Sequence, residues 1–183
     1  QSGRPFTLVT GVDSNGDGVH TAADLLNVSG TPTPVDVWIR TNVNRDGSPG
    51  VCPTGGGPLS INSYVVNIAV SGGTASFTNF VNQRAEATVV LQPFTTSPTE
   101  MTVGRGGATY SSPGDYRLFT VTVTGTTGTP SLAIVPLGTL QTTDATSFGS
   151  QCTGNDFDNT LKLGSDWFDV DGLGANSIVN NAP

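Results

Sequence analysis

Apolar residues recur along this chain at every second position, in short runs cut by glycine, asparagine and proline, which is the signature of half-buried strands. In Val35 to Thr41, Val35, Val37 and Ile39 share one face, and Asp36, Trp38 and Arg40 share the other. Ser63 to Val70 places Tyr64, Val66, Ile68 and Val70 on one side. Ser71 to Gly73 then reads as a turn, with Thr74 to Phe80 as the second arm of a hairpin. Ala85 to Leu91 alternates until Pro93 stops it, and Met101 to Val103 is a short strand before a glycine-rich turn, Gly104 to Gly107. Asp115 to Thr124 carries the strongest strand signal, and its apolar parity shifts at Leu118 and Phe119, where a bulge is expected. Phe6 to Thr10, Ser131 to Val135, Gly138 to Gln141 and Thr160 to Leu163 complete the strands, and one helical turn is expected around Ala22 to Leu26.

Composition agrees with that pattern. Good helix formers such as Lys, Glu, Met and Leu are scarce, whereas Thr, Val, Gly and Asn abound. At 183 residues, strands separated by such turns predict one all-β domain over 1–183: a Greek-key or jelly-roll β-sandwich of about 8–10 strands, with a loop-rich acidic tail over 144–183.

Charge narrows the function classes. Only 11% of residues are charged, yet the net charge is −7, and the acids are twelve Asp against two Glu. Short Asp side chains suit loops that fold around a hard cation, so the bias points to Ca2+. Seven basic residues are too few to neutralise a nucleic-acid backbone, and no apolar run approaches the length of a membrane span. Cys52 and Cys152 have no CxxC or Cys/His company and are read as a disulfide of an extracellular chain, with Gln1 read as the start of a mature form.

The sharpest motif is Asp13-Ser-Asn-Gly-Asp-Gly-Val-His-Thr-Ala-Ala-Asp24, which fits the twelve-residue calcium loop position by position. Asp13, Asn15 and Asp17 offer alternate side-chain oxygens, and Gly18 permits the sharp turn around the ion. Val19 would give a backbone carbonyl, Thr21 a hydroxyl or a bound water, and Asp24 the closing carboxylate. Residues 13–26, DSNGDGVHTAADLL, resemble one half of a dockerin repeat, the calcium-binding module of cellulosome enzymes, which also closes its loop with Asp. The resemblance implies the ligand geometry of that loop. A second copy does not follow: Asn42-Val-Asn-Arg-Asp-Gly47 starts alike but has Pro53 at the closing position. A second calcium site is expected in the late acidic cluster, at Asp156, Asp158, Asp169 and Asp171, with solvated turn carboxylates as the alternative. A Cys52–Cys152 bond would bring that cluster beside the 42–47 loop.

Catalysis is not expected. The single histidine, His20, lies inside the calcium loop, which leaves no residue for a Ser/His/Asp or Cys/His system or a His-ligated zinc. Glu86 and Glu100 are the only glutamates, and Glu86 falls on the polar face of an expected strand, a poor start for a paired-carboxylate hydrolase. Lys162, the sole lysine, reads as an edge-strand residue, with an isopeptide bond as the rarer reading.

The expectation is therefore a calcium-stabilised structural or adhesive module, secreted or at the cell surface, such as a subunit of a surface layer, sheath or filament. Assembly through strand addition by Phe6 to Thr10 is the expected self-association. The alternatives are a carbohydrate-binding module, with Trp38 as the ligand face, and a cohesin-like protein-binding sandwich.

Overall fold

Branched Val, Ile and Thr side chains are stiff at χ1 and pack well on a pleated surface, which biases the alternating segments to extended backbone. The computed structural model describes residues 6–8, 28–42, 49, 60–135, 138–140, 146–151, 159–162 and 167–169. Among them are nine strands and no helix: β1 Phe6–Leu8, β2 Thr33–Arg40, β3 Ser60–Asn82, β4 Val89–Ser97, β5 Glu100–Ser111, β6 Asp115–Val135, β7 Ser147–Gln151, β8 Asn159–Lys162 and β9 Trp167–Asp169. The all-β class read from the sequence is the class of the fold.

All nine strands belong to one hydrogen-bonded sheet, in the order β4-β5-β3-β6-β2-β1-β9, with β7 on β3 and β8 on β7. Every pairing is antiparallel except that of β1 with β9. β3 has β5 along one edge, while its other edge is shared by β7, over Ser60–Val65, and β6, over Asn67–Asn82.

The sheet is folded over on itself. Tyr64 donates its hydroxyl to Asn82 Oδ1 at 2.8 Å, although the two lie 18 residues apart on the same strand. Drawn out straight, that stretch would span roughly 60 Å. The crease lies at Gly72 and Gly73 on β3 and at Gly128 opposite them on β6, where the register slips. Gly72 and Gly128 have φ of 71° and 64°, a region that L side chains rarely adopt. The β4–β5 turn closes the crease: the Thr99 carbonyl accepts from Val70 N at 2.8 Å, and that of Pro98 from Ala75 N at 2.9 Å.

Folding brings two inner faces together into one core. Val35, Val37 and Ile39 of β2, Ala75 and Phe77 of β3, and Phe119, Val121 and Val123 of β6 come from one layer. Tyr64, Val66, Ile68, Met101, Val103, Leu132 and Ile134 come from the other. The Tyr64 and Phe119 rings stack across the gap with centroids 5.9 Å apart.

Several expected elements are redrawn. Ser71 to Gly73 does reverse the chain, but its two arms do not pair with each other. Both continue a single ladder to β6, so the turn is a crease in a sheet and not a hairpin. The strands expected over 115–124 and 131–135 are likewise one strand, β6. β4 begins at Val89 and runs through Pro93, which an edge strand tolerates because one side of its backbone needs no ladder donor. Gly104 to Gly107 form part of β5 and make no turn: a Cβ on Gly107 would lie 2.1 Å from the Glu86 carbonyl oxygen, so glycine admits the chain that crosses there. Residues 138–140 are not strand; their backbone wraps the Glu100 carboxylate, which accepts from Thr139 N at 2.7 Å and Leu140 N at 2.5 Å. β7 and β9 had no alternating pattern to announce them.

The bulge expected at Leu118 and Phe119 is present. Val37 pairs with Phe119 and Trp38 with Arg117, leaving Leu118 as the extra residue, and both Leu118 and Phe119 are fully buried. The Leu118 carbonyl accepts from Gln83 N at 2.9 Å and from the Tyr64 hydroxyl at 3.4 Å.

The crease predicts a sharp contrast between glycines. In Gly128→Val the new Cβ would meet the Gly72 carbonyl oxygen at 2.5 Å and force a branched residue to positive φ. Urea denaturation should show a loss of about 2–3 kcal/mol. Gly30→Ala, whose Cβ meets nothing nearer than 4.0 Å, should change stability by less than about 0.5 kcal/mol.

Candidate functional site

Of the residues proposed as ligands, Asp13, Asn15, Asp17, Val19, Thr21 and Asp24 lie outside the described residues, as do Asp156, Asp158, Asp171, Cys52 and Cys152. The helical turn expected at 22–26 lies outside them too. The described residues do, however, fix where the 9–27 segment leaves the sheet and where it returns. It leaves from β1, which ends at Leu8, five residues before Asp13. It returns at Val28, which packs against the core, and Ser29, whose carbonyl accepts from Gly125 N of β6 at 2.6 Å.

The pairing of β1 with β9 brings the two acidic stretches into relation. The strands are parallel, with Phe6 opposite Trp167, Thr7 opposite Phe168 and Leu8 opposite Asp169. Chain running on from Leu8 toward Asp13 and chain running on from Asp169 toward Asp171 therefore depart from the same end of the sheet. The register sets Asp169 opposite Leu8 on β1; the 43–48 stretch, Cys52 and Cys152, on which the expected neighbourhood of the late acids turns, lie outside the described residues. Among the described residues, no three of His, Cys, Asp and Glu gather into a group that could hold a metal.

Trp38, the proposed ligand face, is half-buried on β2, and its Nε1 is enclosed without a hydrogen-bond partner. The Arg117 guanidinium lies 5.9 Å from the ring centroid. Less of the indole is open than an outward strand position suggested. Its neighbour Asp36, also read as outward-facing, is buried: its carboxylate takes Arg117 Nη1 at 3.1 Å and the Thr120 hydroxyl at 2.5 Å.

A second polar cluster was not anticipated. Arg84 pairs with Glu86 and donates to the Ser111 hydroxyl, while its guanidinium lies 4.1 Å from the centroid of the Tyr116 ring. Glu86 sits in the turn before β4, not on a strand, and also accepts from Ser111 at 3.0 Å. Burial would raise the Glu86 carboxyl, but its own backbone N–H, the Arg84 charge and the bonds from Ser111 and Arg84 outweigh this and hold it below the usual 4.5. Burial drives the Tyr64 hydroxyl far above its ordinary range, against the opposing charges of Arg105 and Arg84. Tyr64 is thus a neutral donor at any physiological pH. The cavity between Tyr64, Arg84 and Glu86 has room for about one water, too little for an organic substrate. The bonded residues of this cluster stand 2 to 27 positions apart, and those of the Asp36 group 81 to 84 apart, so no local motif could announce either.

Compared with known proteins, the chain matches no family model, no curated protein and no solved structure. Among the described residues no helix is long and apolar enough to cross a membrane.

Two measurements check these networks. Arg117→Ala removes the cation facing a buried carboxylate and should cost about 2 kcal/mol in urea denaturation; a change below about 0.5 kcal/mol would mean that the pair contributes little. Because the folded-state pKa of Glu86 is depressed, its stabilisation is present above the ordinary 4.5 and is lost as pH falls through the lower folded value. The melting temperature of Glu86→Gln should lie below wild type at neutral pH and converge with it in acid. A gap independent of pH would contradict the assignment.

Proposed function

We propose that this chain is a calcium-braced extracellular module with a structural or adhesive role, a subunit of a surface layer, sheath or filament. The observation that carries the reading is the parallel β1–β9 pair, with Leu8 opposite Asp169. It supports a brace in which the Asp13 to Asp24 loop closes on an ion beside Asp169 and Asp171, tying an early segment of the chain to a late one. β1 meets β2 at a single register pair, Thr7 with Arg40, and β9 at three. So short a strand gains little from its own ladder, and an ion held by the following loop would offset the entropy of ordering it.

The same shallow attachment supports assembly by strand addition. A strand held by few pairs is the one most readily exchanged for its counterpart in a neighbouring copy, which extends the sheet head to tail. The low charge and the Asp-rich loops suit a durable protein in a calcium-rich exterior. The continuous β3–β6 ladder, which carries both layers on two strands, suits it as well.

Calorimetry with and without chelator tests the brace. At a hundredfold excess over the dissociation constant, calcium should stabilise the chain by about 2.7 kcal/mol, roughly 5–10 °C in melting temperature at this chain length. Asp17→Ala should abolish that shift. Identical melting with calcium and with chelator would sink the proposal. Electron microscopy tests the assembly: polymers should form with calcium and disappear when residues 1–10 are deleted. Polymers that survive the deletion exclude the strand-addition route.

A further inference from the structure

Two stretches rich in threonine, serine and proline meet at the crease, although neither is long enough to stand out in the chain. One is Thr95-Thr-Ser-Pro-Thr99, at the β4–β5 turn; the other is Thr124-Gly-Thr-Thr-Gly-Thr-Pro-Ser131 of β6. Both close on Val70 to Ala75 of β3. The Thr99 and Pro98 carbonyls accept from the Val70 and Ala75 amides, Ser131 pairs with Ser71, and Thr127 pairs with Thr74. A Cβ on Gly72 would lie 2.7 Å from the Thr129 carbonyl oxygen, so glycine lets the second stretch come this close.

The end of the sandwich formed in this way presents hydroxyls and no charge. No residue of 70–83, 87–99 or 118–135 is charged. Ser71, Thr96, Thr99, Thr127, Thr129 and Ser131 are all exposed, and none of them belongs to the core. Soluble surfaces usually keep about 25–35% of their residues charged, so this end lacks the ordinary source of hydration. Some of its hydroxyls are engaged with each other: Thr74 Oγ1 lies 2.7 Å from Thr126 Oγ1 and 2.7 Å from Thr127 Oγ1. Thr96, Thr129 and Ser131 have no such tie among the described residues, and each stands within two positions of Pro98 or Pro130. Serine and threonine clustered with proline are the composition of O-glycosylated segments. Here the fold assembles that cluster from two parts of the chain.

We propose that the crease end is a site of O-glycosylation, with Thr96, Thr129 and Ser131 as the acceptors. The inference rests on the extracellular reading above, since it needs a glycosyltransferase met on the way out of the cell. The donor is a sugar activated on a nucleotide or lipid phosphate. The side-chain oxygen bonds to the anomeric carbon as the bond from that carbon to the phosphate oxygen breaks. The phosphate departs with the electron pair, and the hydroxyl proton passes to a base of the transferase. Sugars held here hydrate the uncharged end, as surface glycans do. They also leave the N-terminal strand clear. β2 runs from Thr33, opposite Val123 near the crease, to Arg40, opposite Thr7, so a strand's length separates the sugars from β1.

Intact-mass spectrometry of the full chain, recovered from its native cells and their medium, tests this. The reference is the same chain made in a host without O-glycosylation. The expected result is a ladder of masses above the reference, spaced by single sugar residues and removed by alkaline β-elimination. Fragmentation should place the sugars within 95–99 and 126–131. Thr96→Val alone, and Thr129→Val combined with Ser131→Ala, should each shorten the ladder while circular dichroism stays unchanged. Using two separate variants keeps the test valid if one of them folds poorly. A secreted chain at its bare mass would overturn the proposal and leave the extracellular reading standing. Sugar confined to Asn27, in the sequon Asn27-Val-Ser29, would overturn it too, and such sugar resists β-elimination. A chain found only inside the cell would remove the extracellular reading and this proposal together.

Discussion

One hydrogen bond states the constraint on which this molecule depends: Tyr64 reaches Asn82 across its own strand. It requires a 23-residue strand to double back, and the strand beside it, β6, to double back with it. Three glycines make the crease sterically possible, and the apolar alternation makes it favourable, since only after folding do the inner faces of the two halves meet. Those halves belong to the same two strands, so neither layer can form its core alone. The expectation is a cooperative unit in which the layers are won or lost together.

The polar groups follow from that geometry. Folding drives Tyr64 into the interior, where its hydroxyl is satisfied by Asn82 and by the Leu118 carbonyl freed from the ladder by a bulge. Asn82 in turn donates to the Arg84 and Ala87 carbonyls and so shapes the chain that leads to β4. The buried polar groups at this end serve the turn, and the small cavity among them is a packing gap. Candidate chemistry lies elsewhere, where the sheet ends in β1 and β9.

Local pattern made much of the fold legible. Val35, Val37 and Ile39, the inward run from Tyr64 to Ile68, and the bulge at Leu118 all follow from a period of two and its interruption. What it could not reveal was pairing. Ser71-Gly72-Gly73 looks like a hairpin turn because a hairpin and a sheet crease make the same local demand, a reversal through positive φ. Only the partner strand distinguishes them, and that partner is some fifty residues away. Gly104 to Gly107 misled for a related reason: glycine there answers the close approach of Glu86, which is a tertiary fact. Pro93 signals an end to a central strand but not to an edge strand, and being at the edge is again a property of the assembled sheet. The proposed calcium loop is legible as a motif, whereas the strand beside it is not: nothing in the spacing of Phe6 and Trp167 foretells that their strands lie side by side.

That adjacency makes the loop a brace in this account, since an ion bound there would bear on the first strand and the last together. Hydrogen–deuterium exchange of the full chain, with and without calcium, tests this most directly. The account predicts that amides of Phe6–Leu8 and Trp167–Asp169 gain protection together when calcium is added, over the same concentration range. Protection of neither strand, or of β1 without β9, would contradict it.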